Sequence, residues 1–166
     1  MIYLYAINNN MKKIGRLINI DRMAYKGKFT PKNPQKYKGD PKNIIYRSSW
    51  ERRFMSYCDR KNEVLEWGSE EIWINYRSID NKIHKYFPDF YMKIKQPDNT
   101  TKKFIVEIKP SYQTRPPKKK IRKTRQYIKA IMGYKKNTAK WAYAKEWCQR
   151  HNMNFIILTE EHLKTF

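Results

Sequence analysis

The run Phe104-Ile105-Val106-Glu107-Ile108-Lys109-Pro110 constrains this chain more than any other stretch. Its β-branched and aromatic residues favour a strand, and Pro110 stops it. Side chains of a strand alternate between faces, so Phe104, Val106 and Ile108 share one face while Ile105, Glu107 and Lys109 share the other. An apolar strand that ends in a carboxylate and an ammonium two residues apart is suited to metal-assisted hydrolysis. The carboxylate can hold a hard divalent cation and the ammonium can orient water or phosphate. A solvated Glu/Lys pair on a half-exposed strand is the plainer reading of the same residues. The rest of the chain decides between the two.

At 166 residues the chain is long enough for one domain with a proper core and short for two. Its 37 Lys and Arg against 15 Asp and Glu give a formal net charge of +22. Such an excess repels itself unless a polyanion offsets it, which points to nucleic acid as partner, with anionic membrane surfaces a weaker alternative. The 13 Tyr and 5 Trp could stack on bases, although large aromatics mostly build core. Cys58 and Cys148 have no Cys-x-x-Cys spacing and the histidines no zinc pattern, which fits a reducing cytoplasm. No run approaches the roughly 20 apolar residues that span a bilayer, and Met1 to Ile7 lacks the flanks of a secretion signal.

Residues 1–22 carry no sustained period and are expected to be an N-terminal extension. From Met23 to about residue 45, Gly27, Pro31, Pro34, Gly39 and Pro41 among several lysines exclude long helices and central strands. An extended basic arm is expected there, gaining order against the domain or against DNA. Residues 46–166 are expected to form the folded domain. Ser48 and Glu51 have the spacing of a capping box, and a helix to about Lys61 would present Trp50, Phe54, Tyr57 and Cys58 inward and Arg52, Arg53, Asp59 and Arg60 outward. Glu51 falls on the inward side, where a sheet would pack. A cap and an active-site role explain it equally well.

Ile72 to Tyr76 reads as a strand, Ser78 to Asn81 as a turn and Lys82 to Lys95 as a longer strand, with Pro88 marking a bulge or edge just before Asp89. Pro97-Asp98-Asn99 turns the chain into the Glu107 strand, so Asp89 and Glu107 fall on consecutive antiparallel strands. After Pro110 a basic helix is expected from Lys118 to Met132, with Ile121, Ile128, Ile131 and Met132 inward and Lys118, Lys119, Arg122, Arg125 and Lys129 outward. So many like charges without acidic partners favour phosphate contact over a merely solvated face. Gly133 is expected to end that helix and Asn137 or Thr138 to cap another to about His151. Lys140 projects from its buried arc, as a snorkelling stem or as a phosphate contact. Asn154 to Leu158 reads as a last strand.

The order α-β-β-β-α-α-β, with Pro88-Asp89 followed after eighteen residues by Glu107-Ile108-Lys109, resembles the PD-(D/E)XK nuclease superfamily. Tyr46-Arg47-Ser48-Ser49-Trp50-Glu51, Trp67-Gly68-Ser69-Glu70-Glu71 and Met23 to Phe29 are similar to the head completion proteins of T4-type tailed bacteriophages. The resemblance implies an α/β (α+β) restriction-endonuclease-like fold, a mixed central sheet flanked by helices. It implies action on the DNA end at a filled head before tail joining, in the host cytoplasm and in the virion, with portal or neck proteins as partners. It implies Glu51, Asp89, Glu107 and Lys109 as the catalytic set. Asp89, Glu107 and Glu51 would bind Mg²⁺, for which Mn²⁺ would substitute. Lys118, Lys119, Arg122, Arg125, Lys129 and Lys140 are the expected DNA contacts. The competing class is a non-catalytic DNA-binding protein that plugs or marks the portal. The carboxylates separate the two, because unneutralised acids in a DNA-binding groove repel DNA.

Overall fold

A computed structural model describes residues 26–164. The expected extension 1–22 and the first residues of the basic arm, 23–25, lie outside the described residues. The chain opens with strands β1 (Gly27–Phe29) and β2 (Ile44–Tyr46), which pair antiparallel, and helix α1 (Ser49–Arg60). Strands β3 (Val64–Ser69), β4 (Ile74–Arg77), β5 (Ile83–Tyr86), β6 (Phe90–Lys95) and β7 (Thr101–Ile108) follow. Helix α2 (Arg125–Arg150), strand β8 (Asn154–Leu158) and the short helix α3 (Glu160–Leu163) complete it.

The central sheet has the order β3-β6-β7-β8, antiparallel except for the β7/β8 pair. Parallel neighbours need a long crossover, and α2 supplies it. The sheet is therefore mixed and flanked by helices, as in restriction-endonuclease-like nucleases.

Strand alternation assigns its two faces to different helices. Phe90, Met92, Ile94, Val106, Ile108 and Leu158 share one apolar core with Phe54, Met55 and Cys58 of α1. Tyr91 and Ile105 point the other way and pack with Cys148 of α2, joined by Trp147 and Phe155. Asp89 and Glu107 have the parity of Tyr91 and Ile105, so the two acids belong to the face that α2 covers. The Glu51 helix covers the opposite face of the same sheet.

Further expectations change. Val64 to Ser69, whose sequence does not announce a strand, pairs with β6 along most of its length. Glu66 and Gly68 interrupt its apolar pattern, and Gly68 stays small because a Cβ there would lie 2.9 Å from the carbonyl oxygen of Lys38. The expected strand Lys82–Lys95 is two strands broken at Phe87-Pro88-Asp89: β5 pairs with β4 in a separate hairpin, and β6 joins the central sheet. The two expected helices after Pro110 are one. Residues 118–124 are not helical, because Pro116-Pro117 and a dense run of like charges oppose it; Thr124 is the cap, accepting from the Tyr127 N–H at 3.2 Å. Gly133 costs the helix interior about 1 kcal/mol relative to Ala, too little to break a helix whose second half is anchored by Trp141, Ala144 and Cys148. Ile121, Ile128 and Met132 are consequently exposed, not inward.

Asp59 is buried, not outward. It accepts the backbone N–H groups of Lys32 at 2.8 Å and Asn33 at 2.9 Å, while Asn33 Nδ2 donates to the Asp59 carbonyl. The basic arm thus takes order against the domain, and Tyr37 seats edge-on to Trp67 at 4.7 Å.

Candidate active site

The break at Pro88 sets the site. Pro88 cannot donate to a ladder, so the strand stops and resumes at Phe90, leaving Asp89 at the sheet end. Phe90 pairs with Val106, and the same register carried one residue further places Asp89 opposite Glu107. The Ile108 N–H donates to Asp89 Oδ2 at 2.6 Å and fixes that carboxylate. The Glu70 N–H donates to the Asp89 carbonyl at 3.2 Å and ties the bend to the end of β3.

Lys109 lies just past β7, where its N–H donates to the Leu158 carbonyl at 2.9 Å. Its ammonium stands 2.9 Å from Glu107 Oε1 and 3.7 Å from Asp89 Oδ2. The cluster is sheltered but reachable: the Glu107 side chain is 3% exposed, Asp89 21% and Lys109 24%. Burial and the Glu107 charge push the Asp89 carboxyl up to about 7, against the pull of Lys109. Burial works against the charge on Lys109, but Asp89 and Glu107 outweigh it and hold its pKa above the ordinary value.

Sequence reasoning missed Tyr86. At the end of β5 it is buried, and its hydroxyl donates to Glu107 Oε2 at 2.6 Å. Burial, then the Glu107 charge, drive its pKa far up, so the hydroxyl is a fixed donor that holds the orientation of Glu107. A lone Tyr in a half-buried hairpin carries no signal of this in the sequence; only the fold brings β5 against β7.

Lys140 comes to the same place from α2. Its ammonium sits 5.1 Å from the Tyr86 ring centroid and 5.9 Å from that of Tyr76. Burial lowers its pKa, against the opposing pull of Glu107. It is a neighbour of the carboxylates and not part of the basic stretch 118–129.

Glu51 occupies the first turn of α1 as a cap. Its N–H donates to Ser48 Oγ at 3.1 Å, while its carboxylate accepts from the Arg47 N–H at 2.6 Å and Ser48 Oγ at 2.9 Å. It lies near enough that its charge raises the pKa values of Asp89 and Lys109. Among the described residues no three His, Cys, Asp or Glu side chains gather as a metal cage. Asp89 and Glu107 converge, and Glu51 stands off. Glu51→Gln keeps an acceptor for the cap, so thermal melts should show a stability change below about 0.5 kcal/mol, against about 0.5–2 kcal/mol for loss of a cap. Cleavage by the same variant should fall several-fold, as the charge felt by Asp89 and Lys109 is removed.

Beside the site, a groove of about 770 Å³ runs between residues 111–118 and the first half of α2, lined by Arg115, Lys118, Lys129 and Tyr134 among others. A second cavity of about 670 Å³, lined by Trp50, Pro110, Tyr112, Gln126 and Glu160, shares Tyr112 and Gln126 with it. Together they lead from the residue after Lys109 to the basic stretch. Lys118 and Lys129 line this groove; Lys119, Arg122 and Arg125 are exposed close to them in sequence. Arg115 was not foreseen.

Residues 61–160 match the family described as TnsA-like endonuclease N terminal. The Head completion nuclease of Enterobacteria phage T4 is 40% identical over 147 residues, covering 86% of this chain and 95% of that protein. The chain belongs to the head completion nuclease family. The matched segment contains Asp89, Glu107 and Lys109 and the four strands of the central sheet. No solved structure matches the chain. Among the described residues, no helix is long and apolar enough to cross a membrane.

Proposed function

We propose that this head completion nuclease family member is a Mg²⁺-dependent DNA endonuclease acting on the DNA end at a filled phage head before tail attachment. The observation that supports this most is the convergence of Asp89, Glu107 and Lys109 at an accessible sheet end beside a basic groove. A protein that only bound DNA would gain nothing from two carboxylates there.

The donor set fits Mg²⁺. That ion keeps several waters and is usually bound by one or two carboxylates plus substrate phosphates, so two converging acids suffice and a three-acid cage is not required. Asp89 and Glu107 would hold it, Mn²⁺ would substitute, and the bound ion would supply Lewis acidity and a water of lowered pKa. Tyr86 holds Glu107 in its rotamer, and the Ile108 N–H does the same for Asp89. Lys109 is placed to stabilise charge developing on a phosphate oxygen. Glu51 acts as a positioning charge from the edge, on a water or a second ion. Lys118, Lys119, Arg122, Arg125 and Lys129 hold phosphates along the groove, and Lys140 takes the phosphate nearest the carboxylates. The portal or neck of the phage head is the docking partner, with the work done in the host cytoplasm and in the virion.

Titration of Mg²⁺ and Mn²⁺ against circular and linear DNA tests this reading. Cleavage that saturates with metal and stops with chelator is expected; equal cleavage with chelator, or none with either ion, would favour the portal plug. Binding carries its own prediction. Each phosphate neutralised on duplex DNA contributes about 0.9 to the slope of log K against log salt, so Lys118→Ala and Lys129→Ala should each flatten it by about that much in anisotropy titrations. Metal affinity should not change.

A further inference from the structure

We propose that the outer face of the β4–β5 hairpin is a second DNA-contact surface, where Trp73 and Phe87 lie against nucleobases beside the phosphate positioned at Asp89. This rests on DNA being the substrate of the site described above.

The hairpin has two unlike faces. Ile74, Tyr76 and Tyr86 point inward and pack with Ala139, Tyr143, Ala144 and Trp147 of α2, so the hairpin is firmly seated. Its other face carries Trp73 at 53% exposed, Ile83 at 59% and Phe87 at 46%. Ile74 pairs with Tyr86, and the register carried one residue further sets Trp73 opposite Phe87. An exposed aromatic pair of this size rimmed by charge marks a contact surface rather than a solvated one.

The rim selects the partner. Arg77, Lys82 and Lys85 stand against Asp80 alone, and Asp80 is engaged by His84 at 2.8 Å. The Lys85 ammonium lies 5.2 Å from the Trp73 ring centroid. Aromatic faces interleaved with cations suit nucleobases flanked by phosphates. An acidic polymer is also what a chain of net charge +22 attracts.

Continuity with the site sets where on the DNA the contact falls. Phe87 is two residues from Asp89, at most about 7 Å along an extended chain, and nucleotides of one strand rise about 3.4 Å each. The aromatic pair therefore meets the nucleotides within one or two steps of the phosphate at Asp89. Tyr86, between them in function, turns inward to Glu107 while Phe87 turns outward.

The test uses the full chain with chelator present and a short fluorescent duplex with a single-stranded end, titrated across a salt series, so that binding is read without cleavage. Trp73→Ala and Phe87→Ala should each weaken binding about ten-fold, within the range for lost base stacking, and leave the salt slope unchanged because no phosphate contact is lost. DNA should quench tryptophan emission of the unaltered protein, and Trp73→Phe should remove most of that quench while keeping affinity. Circular dichroism establishes that the variants fold, and the quench needs no truncation. Affinity within two-fold of the unaltered protein in both Ala variants, together with no quench, would overturn the proposal and assign the face to a protein partner. Failure of the unaltered protein to cleave with Mg²⁺ while these binding changes hold would count against the nuclease reading alone.

Discussion

Asp89→Asn is expected to lower divalent-dependent cleavage by about 10³-fold or more and, in metal-free buffer at pH 8, to raise the melting temperature. The first effect follows from removing one of two metal-binding carboxylates. The second follows from linkage. With its pKa pushed up to about 7 by burial and by Glu107, Asp89 contributes stability that is present below its unfolded value near 3.9 and lost as pH rises through 7. Above that pH the folded protein carries a charge it would rather shed. Asn keeps an acceptor for the Ile108 N–H without the charge. The shift from about 3.9 to about 7 corresponds to an upper bound of about 4 kcal/mol, and Lys109 loses a partner in the exchange, so a net gain of about 1–3 kcal/mol is expected. In a domain of this length that is a rise of about 3–8 °C. At pH 5 the folded carboxyl is neutral while the unfolded one is still ionised, so the gain should shrink there, and it should vanish only below about pH 4. Thermal melts of both proteins across pH 5–8 check it; a variant less stable than the parent at pH 8 would mean that Asp89 is a structural ion-pair member.

Lys109→Ala should behave in the opposite sense. Its ammonium is the cation now shared by Asp89 and Glu107, so its removal leaves two carboxylates facing each other. Metal-free protein should lose about 1–3 kcal/mol, less than for a fully buried pair because all but Glu107 remain partly solvated. Mg²⁺ should restore that loss, giving a larger metal-induced rise in melting temperature than in the parent. Metal affinity should be kept or tightened, while the cleavage rate falls by about 10²–10³-fold, as for other groups that act on developing charge. Metal titrations and single-turnover cleavage read the two effects separately. A variant that binds no metal would place Lys109 in the structure of the site and not in its chemistry.

The parts of this site that rest on short-range rules were legible in the sequence. Pro88 ends a strand wherever it occurs, so Asp89 had to sit at a break; Ile108 and Val106 flank Glu107 by simple alternation; Ser48 and Glu51 form the cap their spacing requires. What the sequence hid depends on partners far along the chain. Asp59 looks like one more polar residue at the end of α1 until Lys32 and Asn33 arrive from the arm. Tyr86 becomes a partner of Glu107 only because the strand breaks one turn of the pleat later and the hairpin folds onto α2. Which helix covers the carboxylates is hidden for the same reason: α1 packs on one face of the sheet as its apolar stripe requires, whereas the parity of Asp89 and Glu107 turns them to the other face, to α2 and Lys140. The basic helix failed differently: the self-repulsion of its like charges keeps 118–124 out of the helix.

The measurement that bears most directly on the central claim is Mn²⁺ binding by calorimetry, paired with nicking of supercoiled circles in the same buffer, for the parent, Asp89→Ala and Glu107→Ala. The account predicts Mn²⁺-dependent nicking by the parent with a saturable binding site, and loss of both in each variant, while DNA affinity read with chelator is unchanged or higher because a negative charge has left the site. Undiminished nicking and Mn²⁺ binding in both variants would contradict it.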